Sequence, residues 1–129
     1  MTSHSLRIVQ RLAVAILLMI PFVLAAACGG GAPKASPEQI AAGEKVFMTT
    51  CATCHGKDAH GLPKLGKDLH ANQFIHEKND QELIDYVKVG RLATDPLNTT
   101  GVAMPPKGGN PALSETDIVN VVAYLRTLE

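Results

Sequence analysis

An all-α fold is predicted by three segments in which apolar residues recur at helical spacing, each opened by an N-terminal capping signal. No stretch alternates apolar and polar residues in the manner of a half-buried strand. Glycines and prolines gather between the segments, where they act as punctuation.

The first segment starts at Ser36-Pro37-Glu38-Gln39. Ser36 serves as N-cap, Pro37 takes the first helical position, where its missing N–H does no harm, and Gln39 completes a capping box. Ile40, Gly43 and Phe47 then share one face, and the helix runs on to Cys51. Asn79 and Glu82 open the second segment in the same way. Leu83, Ile84 and Val87 form its stripe, and Gly90 stands where a helix-ending glycine belongs. The third opens at Ser114, with Glu115 and Asp117 in its first turn, where carboxylates favour the helix dipole. Its apolar face is Ile118, Val121, Val122, Leu125 and Leu128. Residues 91–113 read as a long loop, because Pro96, Gly101, Pro105, Pro106, Gly108, Gly109 and Pro111 interrupt any regular element. Loops of that length in compact domains are usually functional or disordered. Met104 sits inside it, followed by two prolines.

Residues 1–28 have the organisation of an export signal. Arg7 and Arg11 are basic, Leu12–Ala27 is uncharged and apolar, and Ala25-Ala26-Ala27 places small residues before Cys28. This resembles a bacterial lipoprotein signal, with Leu24 one place earlier than the usual leucine. The resemblance implies that Cys28 becomes the lipid-modified first residue of the mature chain. The alternative is an uncleaved anchor, for which the sixteen residues Leu12–Ala27, broken by Pro21, fall short of the roughly 20 a membrane span needs. Either way, the domain lies on the extracytoplasmic side of a bacterial membrane, periplasmic or at the cell surface, and is tied to it. Residues 29–36 read as a Gly-rich tether reaching about 15 Å, and residues 37–129 as the folded domain.

Hydrophobic residues make up 46% of the chain, a figure raised by the apolar N-terminal run. The domain beyond it has no Trp and few aromatic residues, so its side chains alone build a limited core. Setting Arg7 and Arg11 aside, ten Lys/Arg face twelve Asp/Glu. That balance excludes the basic face a nucleic acid would want.

Cys51-Ala52-Thr53-Cys54-His55 is a C-x-x-C-H string, the attachment sequence for one covalently bound c-type haem. Two thiols at that spacing reach both vinyl groups of one porphyrin, and the adjacent His55 delivers an imidazole nitrogen to the iron. A zinc site would need further ligands, and no fourth cysteine exists. A thioredoxin-like motif would sit beside a βαβ pattern, which is missing. The porphyrin supplies the large apolar body that the side chains do not. Two cysteines are thus assigned to haem and one to lipid, leaving none for a disulfide.

Residues 37–129 resemble a class I mono-haem cytochrome c. The resemblance rests on Gly43 and Phe47 in the first helix, Cys51–Gly56, Gly61-Leu62-Pro63, Leu83 to Gly90, Met104-Pro105-Pro106 and Tyr124-Leu125. It implies three main helices and loops wrapped around one covalent haem, with His55 as proximal and Met104 as distal iron ligand. It also implies that the Pro63 carbonyl accepts the His55 ring N–H, and that Gly43 and Phe47 cross against Tyr124. Rivals for the distal position are His60, His70 and His76, while Met48 precedes the haem string on the same helix.

With both axial positions filled, the implied function is one-electron transfer by a monomer between a redox donor and acceptor, not catalysis at the iron. Two alternatives stand beside it. One is a haem subunit held permanently in an oxidase, reductase or dehydrogenase complex. The other is a gas-binding or peroxidatic haem protein, which needs a vacant or displaceable position. Lys57, Lys64, Lys67 and Lys107 form either a positive rim for an acidic partner or an ordinary solvated surface.

Overall fold

Capping chemistry places the helices where the sequence predicts them. The computed structural model describes residues 34–129; residues 1–28, read as an export signal ending at Cys28, and residues 29–33 lie outside the described residues. Helix α1 (Pro37–Val46) starts on a complete capping box between Ser36 and Gln39. It continues without a break through a π-type turn (Phe47–Cys51) into α2 (Ala52–His55). Helix α3 (Gln73–Glu77) is a single short turn capped by Asn72. Helix α4 (Asp80–Val89) opens on the Asn79–Glu82 box and ends at Gly90. Helix α5 (Glu115–Leu125) opens at Ser114, whose hydroxyl and Asp117 form a third capping box. Leu128 falls beyond α5 in a 3₁₀ turn (Arg126–Leu128), half-buried against the core. Among the described residues there is no β-strand, only two isolated bridges. None of their helices is long and apolar enough to cross a membrane.

Helices α1 and α5 cross in direct backbone contact. A Cβ added at Gly43 would stand 1.9 Å from the Asn120 carbonyl oxygen and 3.0 Å from Tyr124 Cβ. One turn further on, the fully buried Phe47 packs its ring on Tyr124, centroids 5.3 Å apart. The crossing expected from Gly43, Phe47 and Tyr124 is therefore present.

Helix α5 links the two halves of the core. Ile118 and Val122 join Ile75, Leu83, Ile84, Val87 and Leu113 in one cluster. Val121 and Leu125 join Phe47, Ala52 and Ala59 in the other. The end of α5 is tied down by Arg126, whose guanidinium donates to Asp80 Oδ1 at 2.8 Å, the Ile75 carbonyl at 2.8 Å and the Lys78 carbonyl. Those bonds satisfy carbonyls at the end of α3, a role that no spacing pattern in the sequence announces.

Because the crossing has no room for a methyl group, Gly43→Ala is expected to destabilise the folded protein by about 2–3 kcal/mol. A thermal melt should show this as a loss of about 10 °C or more in Tm. A variant that melts with the parent would mean that the helices separate at no cost.

Candidate functional site

The π-type turn delivers the cysteines to an apolar cleft. Thr49 donates its hydroxyl to the Lys45 and Val46 carbonyls at 3.0 and 3.1 Å, within the turn where the backbone widens. Turns of this kind are frequent at functional sites. Cys51 and Cys54 then lie three residues apart on a helical turn, His55 follows, and all three line the cleft. Burial, and then the neighbouring Cys54, push the Cys51 thiol up to about 11.

His55 is oriented by a backbone carbonyl. Its Nδ1 lies 2.8 Å from the Lys67 oxygen. A carbonyl only accepts, so Nδ1 carries the proton and Nε2 keeps its lone pair for a metal. The expected acceptor, Pro63, is not the partner. Leu65 N and Gly66 N both bond the Leu62 carbonyl, curling Pro63 into an exposed reverse turn. The Leu69 N bond to the Ala59 carbonyl at 2.9 Å brings the Lys67 segment alongside His55 instead.

Met104 lines the same cleft from the long loop. Its backbone pairs with Arg91 in both directions, at 2.8 and 2.9 Å, and its side chain packs against the cluster that contains Leu83 and Val87. Gly90 makes this pairing possible. It has φ +73°, and a Cβ there would lie 2.2 Å from the Met104 carbonyl oxygen. The Arg91 guanidinium lies over Phe74 and Tyr86, 4.8 and 5.1 Å from the ring centroids, and donates to the Leu97 carbonyl. Burial raises the Tyr86 hydroxyl above its ordinary value.

The rest of the loop is organised by Asn98, which sequence reasoning missed. Its amide nitrogen donates to the Leu92 and Val102 carbonyls at 3.0 and 2.8 Å. Its amide oxygen accepts from Thr100 N at 3.0 Å, Thr100 Oγ1 at 3.1 Å and Gly101 N at 2.9 Å. The string Asn98-Thr99-Thr100-Gly101 carries the signal that was available, an asparagine closing a turn onto its own backbone. Asn110 Nδ2 reaches Thr50 Oγ1 at 3.4 Å and joins the loop to the cysteine-bearing turn. Lys107 lines the cleft and donates its ammonium to the Leu113 carbonyl at 2.7 Å.

Cys51, Cys54 and His55 therefore share with Met104 a cleft of about 1300 Å³, its open mouth included. Its walls include Leu69, Phe74, Ile75, Leu83, Val87 and Leu125. None of His60, His70, His76 or Met48 lines it. A large flat apolar group with a metal centre fits this donor set: two thiols, one imidazole nitrogen and one thioether around hydrocarbon.

Fold and site together define the class, a c-type cytochrome domain. The profile of the family described as cytochrome c oxidase, cbb3-type, subunit III matches residues 38–125, and the chain belongs to that family. Its cofactor is accordingly covalent haem c, and its role is electron transfer. The chain is 29% identical over 92 residues to the cbb3-type cytochrome c oxidase subunit CcoP of Rubrivivax gelatinosus, covering 71% of this chain and 27% of the relative. It is 35% identical over 86 residues to cytochrome c-555 of Chlorobaculum thiosulfatiphilum, covering 66% of this chain and 91% of the relative. It is 27% identical over 85 residues to the cytochrome c subunit of a quinone alcohol dehydrogenase from Gluconacetobacter polyoxogenes, covering 66% of this chain and 18% of the relative. The chain thus spans little more than a quarter of the CcoP relatives it matches. No solved structure matches it.

Because the Asn98 side chain makes five of the hydrogen bonds that close the turn ahead of Met104, Asn98→Ala is expected to speed amide hydrogen exchange at Thr100 and Gly101 at least ~10-fold. Exchange in α5 should be unaffected. Equal exchange in the two proteins would show that the loop is held by something else.

Proposed function

We propose that this chain is a membrane-tethered, mono-haem electron carrier in which Cys51 and Cys54 hold the porphyrin as thioethers and His55 and Met104 take the two axial positions. One observation carries the reading: Cys51, Cys54 and His55, from the π-type turn and α2, line a single apolar cleft with Met104 from the long loop. Haem c supplies reversible one-electron exchange when bound. The protein's own contribution is positional. The Lys67 carbonyl holds the His55 tautomer with Nε2 free, and the Arg91 pairing fixes the Met104 backbone. The apolar walls exclude water, and with the thioether they favour the less charged, reduced state.

Occupied axial positions leave nowhere for a substrate to bind, so this domain is a carrier and not an enzyme by itself. Residues 1–28 export it, Cys28 carries the lipid, residues 29–36 tether the domain, and it works as a monomer on the extracytoplasmic side. The names of several relatives favour a second reading, in which the domain is a fixed haem subunit of an oxidase or dehydrogenase complex.

The reduced protein is expected to bind carbon monoxide at least ~10-fold more weakly than Met104→Ala, as followed by visible spectroscopy. Equally tight binding by the parent would remove Met104 from the axial position and favour a gas-binding or peroxidatic role. After detergent extraction of membranes, the carrier should run alone on a native gel, and Cys28→Ser should release it to the soluble fraction. Co-migration with a large assembly would select the subunit reading.

A further inference from the structure

Outside the cleft, on the exposed side of the segment that carries the Lys67 carbonyl, His60, Asp68 and His70 converge. One ligating atom from each lies within 4.8 Å of the other two. His60 Nδ1 stands 3.1 Å from Asp68 Oδ2, and His70 Nδ1 stands 3.5 Å from Asp68 Oδ1. The two imidazole rings are stacked, 4.1 Å between centroids and 20° from parallel.

From this geometry we infer a second metal site, formed by His60, Asp68 and His70, that takes a divalent transition-metal cation of the zinc type. Three features carry it. First, the donor set of two imidazoles and one carboxylate is the nitrogen–oxygen chemistry that zinc selects. Second, donors around a tetrahedral ion with bonds of 2.0–2.1 Å are separated by about 3.3 Å; each imidazole nitrogen stands near that distance from one carboxylate oxygen, His60 at 3.1 Å from Oδ2 and His70 at 3.5 Å from Oδ1. One donor atom from each residue lies within 4.8 Å of the others, so the donors would close up around an ion, which the exposure of these side chains allows. Third, His70 Nδ1 is shielded from solvent yet makes no hydrogen bond, and it faces the carboxylate without the alignment a bond requires. A bound cation would satisfy that nitrogen, which nothing in the protein does.

The site is held from behind by the backbone. Asp68 Oδ1 accepts the His70 N–H at 2.7 Å, and Asn72 Nδ2 donates to the Asp68 carbonyl at 2.6 Å. Hydrogen bonds from His60 and then from the His70 N–H keep the Asp68 carboxyl below its ordinary range, so it is ionised and available. The side chains are 59%, 51% and 34% exposed for His60, Asp68 and His70, which leaves a solvent-side position for water on the ion. Asp68 shares its peptide bond with the Lys67 carbonyl that orients His55, so an ion here would clip the loop that supports the haem ligand.

The test is calorimetric titration of the haem-loaded protein with zinc chloride at neutral pH. One zinc per chain is expected, with affinity falling at least ~10-fold in His60→Gln and in His70→Gln. His76→Gln, on exposed α3, should match the parent. An unchanged visible spectrum in each variant checks that the haem site is intact. The inference is overturned if the parent takes up no zinc, or if His70→Gln binds it as tightly as the parent does.

Discussion

Where α1 meets α5, no side chain separates the two backbones, and the position of the cleft follows from that contact. Gly43 rests on the Asn120 carbonyl, so Phe47, one turn on, must enter the core beside Tyr124. Phe47 is fully buried and begins the π-type turn that ends in Cys51. Cys51 and Cys54 are therefore set by a helix crossing whose geometry is fixed by steric exclusion. Helix α5 extends the constraint, since two neighbouring stripes of its buried face, Ile118 with Val122 and Val121 with Leu125, feed one core cluster each.

The two walls of the cleft rest on different physics. On the cysteine side, continuous helix and close packing hold Cys51, Cys54 and His55, and a single carbonyl bond sets the imidazole. On the methionine side there is little hydrophobic burial to rely on: Leu92 and Leu97 are 72% and 63% exposed. That wall is assembled from the Arg91 pairing, the Asn98 hub and the Arg91 guanidinium lying over two aromatic rings.

The sequence made the main helices legible because capping boxes are local chemistry. Ser36 with Gln39 and Asn79 with Glu82 need only residues three apart, and Gly90 marks its helix end by the same logic. The C-x-x-C-H string and Met104 were readable as candidates for a related reason, since one is a fixed short spacing and the other a methionine with no helical stripe to join. What escaped was non-local or backbone-borne. Helix α3 is one turn long, too short to show a period. The widening at Phe47–Cys51 has ordinary helix-compatible residues. The acceptor for His55 is a main-chain oxygen, which any residue supplies, so Lys67 left no mark and attention fell on Pro63.

The polar construction of the methionine-bearing loop bears on how this protein comes apart. Bonds shared through one asparagine are coupled, so displacing that side chain weakens them together. The segment from Leu92 to Val102 therefore behaves as a latch, closed or sprung, hinged beside Gly90. Its release leaves the crossing of α1 and α5 undisturbed. A partially opened form with its helices intact is the first excursion this architecture permits, at a free energy well below that of global unfolding.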